Sequence, residues 1–143
     1  MTPKKKILFL CTGNSCRSQM AEGWLSHLRS DDYQSLSAGV EPHGMNPLAV
    51  RAMSEVGIDI SAQSSDHIDI YLDAGLDYVF TVCDNARETC PIFPGDAKVI
   101  HLGFDDPPRL AKAAQNEEEA MGHYRRVRDE ISQFIEKIDP LLY

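Results

Sequence analysis

The sequence predicts an α/β domain: a four-stranded parallel sheet in the order 2-1-3-4, with helices on both faces. Three observations point there. Short apolar runs that read as buried strands alternate with amphipathic helical stretches, the pattern of strand–helix–strand units joined by right-handed crossovers. The first strand breaks off at a glycine-bearing turn, Cys11 to Ser18, that opens directly into a helix. The 143 residues hold no repeat, low-complexity tract or linker long enough to divide them, so a single domain is expected over 1–143.

Residues 4–11 (KKKILFLC) read as a short, fully buried strand. From Cys16 to about Leu28 the apolar residues fall at helical spacing, with Met20, Ala21, Trp24, Leu25 and Leu28 on one face. Residues 33–40 form a weaker strand that ends before Pro42. Asn46-Pro47 is an N-cap followed by a first-turn proline. The helix it opens buries Leu48, Ala49, Ala52, Met53 and Val56, and Gly57 stops it. A short helical segment at 66–74 precedes the third strand, Leu76 to Cys83, and Lys98 to Phe104 is the fourth. The last helix starts near Asn116, with Glu119 placed for a capping box. Its apolar stripe is Tyr124, Val127, Ile131, Phe134, Ile135 and Ile138.

The strand order has a chemical consequence. Ligands of open α/β sheets sit beyond the carboxyl ends of the strands where the winding direction switches, here between strands 1 and 3. Cys11 ends strand 1, Cys83 ends strand 3, and Asp105-Asp106 follows strand 4. Three reactive stations share one edge.

A net charge of −8, from 14 basic and 22 acidic residues, disfavours a nucleic-acid binder, whose footprint is basic. It leaves room for a small anion, because loop dipoles act locally. No apolar run approaches membrane length, and the stretch Ile7–Cys11 is too short for a secretory core, so a cytoplasmic monomer without a membrane partner is expected. In such a chain Cys11, Cys16, Cys83 and Cys90 are more readily catalytic or redox-active than structural. Their spacing does not suit zinc, and the five histidines show no ligand spacing.

The segment Cys11-Thr12-Gly13-Asn14-Ser15-Cys16-Arg17-Ser18 carries the strongest signal. Cysteine and arginine flank five residues, enough for backbone to curl around a tetrahedral oxyanion with its N–H groups inward. Gly13 can adopt positive φ and Asn14 tolerates it. Arg17 supplies a planar fork for two oxygens. The helix N-terminus and Arg17 favour the thiolate of Cys11, and Ser18 is placed to hydrogen-bond it. Cys16 is expected to pack at the start of the helix.

CTGNSCRSQMAEGW, SAGVEPHGMNP, TVCDNARETCP and GFDDP together resemble the thioredoxin-coupled arsenate reductases, which share their fold with the low-molecular-weight protein tyrosine phosphatases. The resemblance covers nearly the whole chain. It implies that Cys11 attacks the oxyanion, Arg17 binds it, and Asp106, directly before a proline, is the general acid. Some reductases of that family bind potassium beside the loop, and the matching positions here are Asn14, Glu22, Ser37 and Asp66. Those residues would equally serve as a hydrogen-bonded brace, and no other cofactor is required.

Within the resemblance, chemistry separates two branches. A phosphatase needs only the nucleophile, the arginine and the acid. Arsenate reduction takes two electrons, which a thiol pair supplies on becoming a disulfide, and Cys83 and Cys90 are the extra thiols. Strands 1 and 3 as neighbours about 4.8 Å apart would bring Cys83 toward Cys11. Cys90 lies in a loop broken by Pro91 and Pro94. Asp106-Pro107-Pro108-Arg109 lacks the aromatic residue with which the phosphatases grip a phosphotyrosine ring, which favours a small inorganic substrate. The expectation is arsenate reduction through Cys11, Cys83 and Cys90, with thioredoxin as reductant. A tyrosine phosphatase and a non-enzymatic thiol redox or oxyanion sensor are the alternatives, though a sensor has little use for a general acid.

Overall fold

The computed structural model describes residues 4–83, 93 and 96–139. Four strands, β1 (Lys5–Cys11), β2 (Tyr33–Gly39), β3 (Tyr78–Thr81) and β4 (Lys98–His101), form one sheet in the order β2-β1-β3-β4. All neighbours are parallel, in a register that pairs Cys11 with Gly39, Leu10 with Thr81, and Thr81 with His101. The expected topology holds. The winding reverses across β1, so the crevice at the carboxyl ends of β1 and β3 is where a ligand site belongs.

β1 is central, and its last five residues are buried. Its alternate side chains therefore feed two cores. Ile7, Phe9 and Cys11 join Phe80 and Val82 beneath α1 (Arg17–Arg29), α2 (Pro47–Ser54) and α4 (Glu117–Glu136). Phe80 is the hinge of that core, stacked on Phe9 at 5.8 Å between centroids and met edge-on by Phe134 at 5.5 Å. Leu8, Leu10 and Val79 face the other way, toward Ala38, Phe93 and Ile68 of a 3₁₀ turn at Ile68–Tyr71. Among the described residues the α-helices pack on the first of these faces, and the helical element on the second is the 3₁₀ turn. Each fully buried Leu, Ile or Phe contributes on the order of 2 kcal/mol.

The helix starts follow the sequence closely. Asn46 Oδ1 accepts from the amides of Leu48 and Ala49 at 2.9 and 3.2 Å. Asn116 accepts from Glu119 N at 2.8 Å, while the Glu119 carboxylate reaches back to Gln115 N at 3.2 Å. Other expectations need correction. α2 ends at Ser54, so Val56 lies in the following turn, and it is exposed; Leu28 is exposed as well. The helical segment expected over 66–74 shrinks to the 3₁₀ turn. The strand expected over 98–104 ends at His101, where Leu102 N makes a last bond to Thr81 O at 2.7 Å before the backbone turns toward the site. A short helix, α3 (Pro107–Ala111), was not anticipated. Asp106 at its N-cap and prolines at its first two positions were its signal. Among the described residues no helix is long and apolar enough to cross a membrane.

Candidate active site

Residues 12–16 curl between β1 and α1 with their carbonyls turned outward and satisfied. Thr12 O accepts from Glu41 N at 2.9 Å, Gly13 O from His43 N at 2.9 Å, and Ser15 O from Asn46 N at 3.0 Å. Asn14 O accepts from the Gln19 side-chain amide at 3.0 Å. In a trans peptide the C=O and the next N–H point in opposite directions. Each outward carbonyl therefore aims the following amide, at residues 13–16, into the loop. Asn14 N does this visibly, donating to Cys11 Sγ at 3.3 Å. A strap of residues 41–46 thus holds the loop as a ready anion nest.

Asn14 makes the left-handed turn, with φ 48°, and Gly13 does not share it. Gly13 is needed for a different reason, since a Cβ there would stand 2.7 Å from His43 Nδ1. Gly39, the register partner of Cys11, is confined more tightly still: a Cβ would lie 2.5 Å from Thr12 O.

A directional chain of hydrogen bonds runs from behind the loop to the Cys11 sulfur. Asp66 N donates to Asn14 Oδ1 at 2.8 Å, which fixes the orientation of that amide. Asn14 Nδ2 then donates to Ser18 Oγ at 2.9 Å. The Ser18 proton is left for Cys11 Sγ, 3.0 Å away. The expected Ser18 contact is present, and Asn14 and Ser18 serve as buried support behind the pocket.

Arg17 enters from the first turn of α1. Its Nη1 donates to Phe104 O at 3.0 Å and Val82 O at 3.5 Å, and its Nη2 lies 3.6 Å from Asp106 Oδ1. Through this one guanidinium the segments leaving β3 and β4 meet. Asp106 sits at the N-cap of α3 but makes no cap bond with its side chain, which lines the pocket instead. Cys11, Arg17 and Asp106 share a cleft of about 250 Å³ with Thr12, Gly13, Ser15 and Cys16 of the loop. His43 and Pro108, neither anticipated from sequence, complete it. Asp105 points elsewhere, paired with Arg126 at 2.9 Å.

The other cysteines differ. Cys16 is buried and free, and burial pushes its pKa well above the ordinary thiol value. Cys83 is buried and disulfide-bonded, one residue past the carbonyl that Arg17 holds. Cys90 lies outside the described residues.

Asn14, Glu22, Ser37 and Asp66 cluster behind the loop. Ser37 Oγ donates to Glu22 Oε1 at 2.5 Å, and Asp66 Oδ2 accepts from Ser64 Oγ at 2.6 Å and Tyr71 OH at 3.2 Å. Burial, with Asp66 adding to it, pushes the Glu22 carboxyl up to about 7 even though the Ser37 bond opposes it. Among the described residues neither carboxyl has a basic partner. Two carboxyls, a hydroxyl and an amide oxygen make a donor set that fits a hard cation.

Residues 6–139 match the low molecular weight phosphotyrosine protein phosphatase family. The arsenate reductase of Shouchella clausii is 55% identical over 134 residues, covering 94% of both chains. A solved arsenate reductase in its phosphate binding state is 31% identical and superposes with a TM-score of 0.77, over 97% of this chain and 99% of that one. A low molecular weight protein tyrosine phosphatase from T. tengcongensis follows at 25% identity and a TM-score of 0.69, over 97% and 100% of the two chains. On this sequence match, and with a cysteine, an arginine and an aspartate meeting in one cleft, the chain belongs to the low molecular weight phosphotyrosine protein phosphatase family, on the side of it where the arsenate reductases lie.

Proposed function

We propose that the chain reduces arsenate to arsenite, with Cys11 as nucleophile and Cys83 and Cys90 as the redox pair. The observation that carries this reading is that Cys83, next to the carbonyl bound by Arg17, is disulfide-bonded while Cys11 is free. A phosphatase has no use for that bond. The reductase from Shouchella clausii, identical at 55% of 134 aligned positions, supports the same substrate. The phosphate binding state of the solved arsenate reductase supports an oxyanion in the loop.

In the proposed cycle the loop amides and Arg17 hold arsenate while the Cys11 thiolate attacks arsenic. Asp106 gives its proton to the departing oxygen, which leaves as water. The Cys83 thiolate then attacks Cys11 Sγ. The electron pair of the S–As bond stays on arsenic, which falls from As(V) to As(III) and departs as arsenite, leaving a Cys11–Cys83 disulfide. Cys90 attacks Cys83, the Cys11 thiolate leaves, and a Cys83–Cys90 disulfide forms for an external dithiol such as thioredoxin to reduce. A bonded Cys83 beside a free Cys11 suits the end of this cycle. Asn14, Glu22, Ser37 and Asp66 would hold a potassium ion, whose charge would offset the two half-buried carboxylates and steady the support for the loop.

Arsenate-dependent NADPH oxidation with thioredoxin and its reductase, run beside an aryl phosphate, tests the reading. Cys90→Ser is expected to complete one turnover and stop with a Cys11–Cys83 disulfide, read by non-reducing peptide mapping. Repeated turnover of that variant with thioredoxin would refute the relay. Weak aryl phosphatase activity, dependent on Cys11 but not on Cys83 or Cys90, is expected beside it, because Cys11, Arg17 and Asp106 share the cleft.

A further inference from the structure

We propose that His43 contacts the substrate directly, its imidazole donating a hydrogen bond to the oxyanion held in the 11–18 loop and so setting its affinity. The proposal rests on reading that loop as an oxyanion site.

The strap fixes where the residue stands. His43 N is bonded to Gly13 O at 2.9 Å, and the next amide, Gly44 N, to Ser65 Oγ at 3.2 Å. The ring lies edge-on over Gly13: the position a Cβ would take there is 2.7 Å from Nδ1, 3.3 Å from Cε1 and 3.4 Å from Cγ. The bare glycine is what lets the ring down against the loop, and the ring lines the same cleft as Cys11, Arg17 and Asp106.

The ring is also uncommitted. His67 Nδ1 accepts from Asp69 N at 3.1 Å, and His101 Nδ1 is 2.8 Å from Thr81 Oγ1. Neither nitrogen of His43 makes a hydrogen bond or ion pair among the described residues. Arg17, by contrast, already spends Nη1 on Phe104 O and turns Nη2 toward Asp106. The amides of the nest converge from the loop side, so the outer oxygens of a tetrahedral anion need a donor from the mouth of the cleft. A neutral imidazole carries one N–H in either tautomer, so the donor is present whatever the ring's charge.

His43→Phe keeps a ring of similar size and removes the donor. The probe is inorganic phosphate, read as protection of Cys11 from iodoacetamide by peptide mass spectrometry, alongside arsenate KM and kcat. In His43→Phe the half-protecting phosphate concentration and the arsenate KM should both rise about tenfold, as expected for one exposed bond to a charged group. The fall in kcat should be smaller, and the rate of Cys11 alkylation without phosphate should stay within about twofold, because the strap grips the loop through backbone atoms. Unchanged protection and KM would overturn the contact. A shift in the unprotected alkylation rate as large as the shift in protection would overturn it too, by making His43 a brace for the loop. A wild type that phosphate fails to protect would overturn the oxyanion reading itself, a different failure from a protected wild type matched by its variant.

Discussion

Cys11 and Cys16 stand at the two ends of one loop, both buried and both free. The sulfur of Cys11 receives the Asn14 amide and faces the Ser18 hydroxyl. That of Cys16 has no hydrogen bond among the described residues, and burial raises its pKa although Arg17 is the next residue. The carboxyls repeat the contrast. Glu22, half-buried with no basic partner among the described residues, is pushed up to about 7, whereas Glu55, between Arg125 and Arg128, is held down to about 2. The difference teaches that fixed charges beside a group, as at Glu55, favour its ionised form, and that burial without enough of them, as at Cys16 and Glu22, favours the neutral form.

The sharpest way to break the comparison is to exchange the two thiols' fates. Cys11→Ser should abolish arsenate turnover, while Cys16→Ala should keep it within a few-fold and cost about 1 kcal/mol of stability in urea titrations. Comparable losses of turnover in both variants would mean the two ends of the loop do not differ as described. Ser18→Ala removes the last donor in the chain to Cys11, and alkylation of Cys11 at neutral pH should slow about tenfold. An unchanged rate would leave the Asn14 amide as the sufficient donor.

The carboxyls give smaller effects of opposite sign. Glu22 has a raised pKa, so the stability it adds is complete below its ordinary 4.5 and is lost as pH rises through about 7. Urea midpoints should decline over that window in the wild type, recover in part with potassium at pH 8, and decline less in Glu22→Gln. Glu55 has a lowered pKa, first through its bonds to Arg125, so its contribution holds above 4.5 and fades as pH falls toward 2. Glu55→Gln should flatten only that acid limb, and slightly, since the pair is partly exposed. The same pH slope in both variants would refute the contrast.

What was legible in the sequence was what neighbours in the chain decide. The Cys11–Ser18 segment puts cysteine, turn, arginine and helix start within one consecutive stretch, and Asn46 and Asn116 announce their helices locally. The strand order followed from the alternation of elements. His43 was invisible because its partner, Gly13, lies thirty residues away with no periodicity linking them. The end of β4 at His101 is hidden in the sequence for a similar reason. Leu102 and Phe104 look like strand residues, but the chain must leave the sheet for Phe104 O to meet Arg17.

A cup built from peptide amides and one guanidinium reads shape and negative charge. Phosphate and arsenate present almost the same of both, so under the proposed function the loop would admit either. Under the proposed cycle, discrimination falls to a later event. When Cys83 draws Cys11 into a disulfide, the abandoned electron pair needs an atom able to keep it. Arsenic accepts the pair and leaves as arsenite, whereas phosphorus does not, and its adduct can only return to phosphate. The enzyme's selectivity then lies in what is able to depart after the chemistry, with little asked of the door through which the anion enters.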